Sequence, residues 1–369
     1  MMNRSMTLMM AATVSGMLGF YLLFSTVPLY AAAGGAGGFG AGLATGAMML
    51  STVLLELAVP WLLARHGYRA ALVLGLVLLG APALALPLSS ALPLVLAVSL
   101  LRGGGLGILV VAGTALTAEL VPAERRGEGL GVYGVAVGIP SVVGLPLGLW
   151  AAGALGFTPV FLVAGLVPLA GLAAVPWLPA LKARPQAPSS EPVSGLARPT
   201  LIFASVTVAT GVLVTFLPLA GSPSLASVAL LVQSICTPAA RWWAGRFGDR
   251  HGSARLLAPG LVLGAAGMAL QVWPAGVIAG MVLFGIGFGL LQSATLAVMF
   301  ERGAVGRVSA LWNLAYDAGM GAGAVGFGLV VGATGYGLGF VLVALVMVAA
   351  LPLVQRVSST PTVISSPSL

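Results

Sequence analysis

Apolar residues run for about twenty positions at a time along this chain, the length of helix that crosses ~30 Å of hydrocarbon. Charge, proline and glycine clusters or short polar turns separate the runs. They fall near residues 7–31, 40–63, 70–88, 92–118, 129–152, 156–180, 200–220, 224–244, 255–272, 274–299, 308–333 and 336–354. The pattern predicts an all-α membrane protein with twelve transmembrane helices in two six-helix, pseudo-symmetric bundles. The bundles are residues 1–180 and 200–355, with a cytoplasmic linker at 181–199 and a disordered tail at 356–369. The linker carries Lys182, Arg184 and Arg198 among Pro185, Pro188, Pro192 and Pro199, a solvated and flexible composition.

Composition agrees with a polytopic protein. Of the 369 residues, 59% are hydrophobic and only 7% charged, and the mean hydropathy is +1.10. A soluble chain of this length carries far more charge. The net charge of +8 is scattered over short loops and forms no stripe, so nucleic acid is not an expected partner. The one cysteine, Cys236, lies inside an apolar run and suggests neither an intramolecular disulfide nor a metal site. The start, with Arg4 before an apolar run, has no evident small-residue cleavage site and reads as an uncleaved first helix.

Charge placement then orients the chain. Numbering the breaks between spans, the even ones hold Arg65 and Arg69, Arg125 and Arg126, the linker, the Arg241 to Arg255 loop, and Arg302 with Arg307. Arg4 and Arg356 lie at the ends, and the odd breaks hold no Lys or Arg. Every basic residue except Arg102 therefore falls on one side, which places both termini and the linker in the cytoplasm.

The halves also repeat. Ala64-Arg65-His66-Gly67 aligns with Asp249-Arg250-His251-Gly252 at a shift of 185, and Gly103, Gly105 and Gly107 fall on Gly285, Gly287 and Gly289 at a shift of 182. Glu119 ends the fourth span as Glu301 ends the tenth, and Arg126 falls near Arg307. Six spans repeated in parallel form a transporter architecture with the pathway between the repeats.

At these residues the chain resembles the major facilitator superfamily, over about residues 7–354. Gly245-Arg246-Phe247-Gly248-Asp249-Arg250-His251-Gly252 is similar to that family's loop signature, Gly-x-Leu-(Gly/Ala)-Asp-Arg-x-Gly. Residues 121–131 and 311–323 look like the starts of helices 5 and 11 in the efflux-permease branch. The first-half copy of the signature departs from the pattern, with Pro60 for Gly and Ala64 for Asp. The resemblance places the eighth span beside the fifth. It therefore implies a cytoplasmic gate in which Gly245, Arg246, Gly248, Asp249, Arg250 and Gly252 meet the start of the fifth span at Arg125 and Arg126. The alternative is a loop that only anchors topology.

Three ionisable groups lie inside spans: Arg102 in the fourth, Glu56 in the second and Asp317 in the eleventh. Each must be paired, neutralised or in water. Arg102 matches an intramembrane arginine that the resembled family often has on helix 4. It reads either as part of substrate or proton coupling or as a structural ion pair. A carboxyl that alternates between protonated and ionised suits proton coupling. The resembled fold makes helices 2 and 11 neighbours, so Glu56 and Asp317 would share one network; alternatively Asp317 bonds locally to Asn313. Under the shift of 185, Glu56 corresponds to Arg241. Tyr21, Gln233, Gln292, Trp312, Asn313 and Tyr316 are the polar groups expected to face a largely apolar cavity. The glycines of the fourth, fifth and eleventh spans suit close helix packing, and Pro140 and Pro146 suit a bent fifth span.

No enzyme signature emerges. The chain has no G-x-x-x-x-G-K-[ST] loop, His66 and His251 stand beside arginines, and no Ser-His-Asp set can be placed together. The expected function is secondary transport of a small organic solute, by proton-coupled efflux, with no cofactor. Two alternatives stay open: sugar-like uptake or facilitated diffusion, and a non-transporting receptor of the same fold. Expected partners are the solute, protons and the bilayer, and the protein is expected to be a monomer.

Overall fold

The structure, a computed structural model, describes residues 4–122, 125–183 and 195–358, and the secondary structure it describes is helical. Residues 184–194 of the expected linker and 359–369 of the expected tail lie outside the described residues. The helices are α1 (Arg4–Phe24), α2 (Thr26–Ala31), α3 (Gly37–Gly80), α4 (Leu92–Leu120), α5 (Arg126–Leu155), α6 (Phe157–Gly171), α7 (Ala197–Ala220), α8 (Pro223–His251), α9 (Leu257–Ala269), α10 (Val277–Phe300), α11 (Val305–Ala349) and α12 (Leu351–Ser358). Among the described residues, nine helical runs are long and apolar enough to cross a membrane, from Arg4–Leu88 at 85 residues to Ser253–Val272 at 20.

The longest runs are broken by glycines in a left-handed conformation that a side chain disfavours. Gly35 (φ 96°) and Gly37 (φ 60°) separate α2 from α3, Gly67 (φ 82°) interrupts α3, and Gly335 (φ 69°) interrupts α11. The break at Gly67 recurs at Gly252 (φ 90°), the residue aligned with it by the repeat.

One expected loop is helix instead. The sequence reading ends the eighth span at 244, whereas α8 continues through His251 and only Gly252 leaves it. No proline or left-handed glycine intervenes after Pro238, and Arg250 with His251 in the last turn complements the helix dipole. Arg246 lies 3.9 Å over the Trp242 ring, and the Trp243, Phe247 and His251 rings stack successively along the same helix.

The chain forms two compact units. The first comprises Met1–Ala187 with Val212–Leu231 and Ala324–Gly332; the second comprises Pro188–Gly211, Val232–Gly323 and Ala333–Leu369. The first therefore includes the end of α7, the start of α8 and the part of α11 just before its break at Gly335. There Thr45 and Thr215 share a hydrogen bond of 2.8 Å, the Ser227 hydroxyl donates to the Pro146 carbonyl at 2.7 Å, and the Phe216 and Phe327 rings lie 4.6 Å apart.

Within each unit, helices meet backbone to backbone through the repeated glycines. A Cβ on Gly107 would stand 2.7 Å from the Thr52 carbonyl oxygen, and one on Gly105 2.7 Å from that of Gly75. In the second unit a Cβ on Gly289 would strike the Thr237 carbonyl, and one on Gly287 would stand 2.6 Å from that of Gly260. Thr237 and Gly260 follow Thr52 and Gly75 by the same 185 positions. The α1–α5 contact repeats too: Gly148 on Leu22 corresponds to Gly323 on Val208 in α11 and α7. Water drives little association inside lipid, so this close approach supplies the van der Waals contact that holds the helices.

Large apolar side chains point outward, among them Leu57 (74% exposed), Trp61 and Trp242, while the largest fully buried side chain is Arg102. An exterior rich in large apolar side chains around a buried arginine fits lipid as the surrounding solvent. The packing predicts that Gly287→Val, which pushes into the Gly260 and Gly264 backbone, destabilises the detergent-purified protein by about 3 kcal/mol. Gly332→Ala, with nothing within 4 Å of the added carbon, changes stability by less than about 0.5 kcal/mol; thermal unfolding of the two variants checks both values.

Candidate functional site

The second unit gathers polar and aromatic side chains where α8, α10 and α11 meet. Arg241, which the sequence reading counted with the loop cations although its eighth span (224–244) includes it, is a helical residue of α8, ten positions before His251 and therefore about 15 Å along the axis from it. Its guanidinium donates to Gln292 Oε1 at 3.3 Å and lies 6.0 Å from the centroid of Trp312. The Trp312 indole N–H reaches Thr295 Oγ1 at 3.3 Å, and its ring stacks on Phe203 at 4.4 Å. Tyr316 follows one turn along α11, with ring centroids 5.8 Å from Trp312 and 6.1 Å from Phe288. Gln292, Phe203 and Phe288 are buried, Trp312 and Tyr316 partly so, and Arg241 is exposed.

Of the polar residues expected from sequence, Gln292, Trp312 and Tyr316 are thus brought together. Gln233 is buried two turns before Arg241 on α8, with its backbone against Gly285 of α10. Asn313 and Asp317 are half-buried on α11. What sequence reasoning missed was Arg241 as a member of this group. A signal for it existed in the repeat, which pairs it with Glu56.

The other candidates are dispersed. In the first unit Glu56 is half-buried on α3, with its side chain packed where a Cβ on Gly107 of α4 would go. Tyr21 on α1 is half-buried, against Gly144 of α5. The signature residues form the end of α8: Gly248 packs near Ser253, Gly245, Arg246, Asp249 and Arg250 precede the turn, and Gly252 makes it. Asp249 and Arg250 are exposed. Arg125 precedes α5, and the side chain of Arg126 lies outside the described residues. Among the described residues, no three His, Cys, Asp or Glu side chains gather as a metal site requires.

Arg102 is 1% exposed, in the core of the first unit. It donates through Nε to the Leu79 carbonyl at 3.1 Å and through Nη2 to the Gly19 carbonyl at 2.8 Å, tying α4 to α3 and α1. Leu79 lies just before the α-helix tightens to a 3-10 helix at Ala81–Leu88, and Pro82 has no N–H to offer its carbonyl. A guanidinium at membrane depth costs about 2.5–3.5 kcal/mol on insertion scales. Two charge-assisted hydrogen bonds, each worth about 1.5–3 kcal/mol, offset it. Arg102→Leu is therefore expected to lower stability by about 2 kcal/mol, with Arg102→Lys intermediate, read as melting temperature of the purified variants.

Comparison with known proteins gives these helices a family. The model of the Major Facilitator Superfamily matches residues 9–222. An uncharacterized MFS-type transporter of Mycobacterium tuberculosis, Rv1250, is 31% identical over 150 residues, 39% of this chain. The match spans about a quarter (26%) of that curated relative's length. Among solved structures, a mutant of the nucleoside transporter NupG aligns over 96% of this chain and 100% of its own, with a TM-score of 0.73 at 15% identity. A D-xylose-proton symporter aligns over 94% of this chain and 96% of its own, with a TM-score of 0.74 at 16% identity. With more than half of its length matched by the family model and its helices following the same fold, this chain belongs to the Major Facilitator Superfamily of membrane transporters.

Proposed function

We propose that this protein is a secondary transporter that carries a small organic solute across the cytoplasmic membrane by alternating access, as proton-coupled efflux. The observation that carries the reading is the seal inside the first unit. The end of α7, the start of α8 and the part of α11 before Gly335 pack on α3 and α5, through Thr45 with Thr215, Ser227 with Pro146, and Gly42 against the Ala324 backbone. Thr215 lies near the end of α7 away from the linker, and Ser227 near the start of α8 that follows it. A carrier must close one side while the other admits solute, and a small set of weak contacts among helix ends can open again.

In this reading the left-handed glycines count as breaks, two in the first of the nine runs and one in the last, which supports twelve spans. Six precede residues 181–199 and six follow, as bundles at 1–180 and 200–355. With basic residues concentrated on alternate breaks, the positive-inside rule puts both termini and the linker in the cytoplasm. The seal then closes the outer face. Arg102 holds the first bundle together, while Glu56 and Asp317 are the groups assigned to proton exchange. Asp249, at the cytoplasmic end of α8, is assigned to the inner gate with Arg125 and Arg126. Export follows the resemblance of residues 121–131 and 311–323 to the efflux-permease branch.

Reconstituted vesicles with a trapped pH dye test this reading: a transported solute moves protons when only a solute gradient is applied. Asp317→Asn is expected to lower proton-driven flux by at least about ten-fold while leaving solute exchange at equal pH intact, and Asp249→Asn to slow both. Proton-driven flux unchanged in Asp317→Asn would remove that residue from coupling. Removing the Thr45–Thr215 bond by Thr215→Val, worth about 1 kcal/mol, should raise outer-face opening about five-fold. The readout is labelling by an impermeant thiol reagent at a cysteine placed at Val331, beside Gly38, in a Cys236→Ser background.

A further inference from the structure

Arg102 and Arg241 lie within helices long and apolar enough to cross a membrane, and they are held in opposite ways. Arg102 is enclosed, with donors directed at two backbone carbonyls of neighbouring helices. Arg241 is exposed, and the partners that hold it are uncharged: the Gln292 amide oxygen at 3.3 Å and the face of Trp312 at 6.0 Å. The first is a long hydrogen bond that uses one of five guanidinium N–H groups, and the second lies at the outer limit of a cation–π contact. These two contacts leave most of the guanidinium donors free to meet a ligand. An anion that docks there gains a charge-assisted contact that a neutral solute does not.

The surroundings are built rather than incidental. Trp312 is fixed on one face by Phe203, at an interplanar angle of 15°, and at its N–H by Thr295 Oγ1. Thr295 is itself oriented by donating to the Leu291 carbonyl at 2.6 Å, which leaves its oxygen to accept from the indole. Tyr316 extends the aromatic wall, backed by the buried Phe288. A guanidinium fork beside rigid rings offers bidentate recognition of a carboxylate or sulfonate and an apolar surface for its body. The aligned residue in the first unit is Glu56, packed on Gly107 as the Arg241 backbone is on Gly289. Packing alone thus demands no arginine at this place in the helix.

We infer that the surface formed by Arg241, Gln292, Trp312 and Tyr316 binds an organic anion with an aromatic body, its carboxylate or sulfonate on the Arg241 guanidinium and its ring against Trp312 and Tyr316. The inference names the substrate class for the transport reading above and rests on it. Cationic amphiphiles are excluded by the same charge.

Calorimetric titration of the full-length detergent-purified protein with 2-naphthoate and with 2-naphthalenemethanol, matched in ring and differing in charge, tests it. The carboxylate is expected to bind at least about ten-fold tighter than the alcohol, as one charge-assisted contact would give. Arg241→Gln should abolish that preference while leaving alcohol binding within about two-fold, and Arg241→Lys should keep part of it, because a lysine retains the charge without the fork. Equal affinity for the two molecules in the unaltered protein, binding of neither, or a preference that survives in folded Arg241→Gln overturns the inference. Should Arg241→Gln not fold, the unaltered protein's ratio and Trp312→Leu, expected to weaken both molecules together, still decide it. Flux separates this result from the transport reading. Vesicles that carry a neutral or cationic solute while naphthoate fails to bind leave the carrier and reject the anion; selective naphthoate binding without flux of any solute does the reverse.

Discussion

Hydrocarbon forms no hydrogen bonds, so each polar group that enters it must find its partner within the protein. The described residues meet this demand with few groups. Threonine hydroxyls turn back on their own helices: Thr52 donates to Met48, Thr117 to Gly113, Thr210 to Val206 and Thr295 to Leu291. Arg102 meets it with the carbonyls of Gly19 and Leu79, joining three helices through one side chain. Arg241 differs: it is exposed, and the partners that hold it, Gln292 and the Trp312 ring, are uncharged.

A second consequence of the lipid solvent is the way helices cohere. Tails around the protein are as apolar as leucine, so burying a leucine between helices gains little. Gly105 against Gly75 and Gly287 against Gly260 instead bring main chains into direct contact, where each added atom would collide. Side-chain bulk is turned outward, as at Leu57 and Trp61.

Much of the architecture was legible because lipid imposes coarse rules. Runs of about twenty apolar residues and the placement of arginines marked the helices, and a shift of 182 picked out the glycines Gly103, Gly105 and Gly107 whose packing recurs at Gly285, Gly287 and Gly289. Helix ends were less legible. Charged residues look like loop, yet α8 continues through Arg246 and Arg250 because polar residues at a membrane surface are compatible with helix and only a residue such as Gly252 ends it. The same error hid Arg241, counted with the loop cations although it lies about 15 Å inside the helix end. Nor could spacing foretell that Arg102 reaches the carbonyls of α1 and α3: its partners are 83 and 23 residues away, and one of them is a carbonyl that Pro82 cannot serve.

The exchange of Glu56 for Arg241 on a duplicated backbone has an evolutionary corollary. The close helix contacts at Gly107 and Gly289 are set by main-chain proximity, whichever charged residue, Glu56 or Arg241, stands beside them. Duplication therefore handed this lineage two copies of a frame whose chemical occupant could be rewritten independently in each. Selectivity in such a molecule can drift by single codon changes, while the architecture that turns binding into movement is inherited intact.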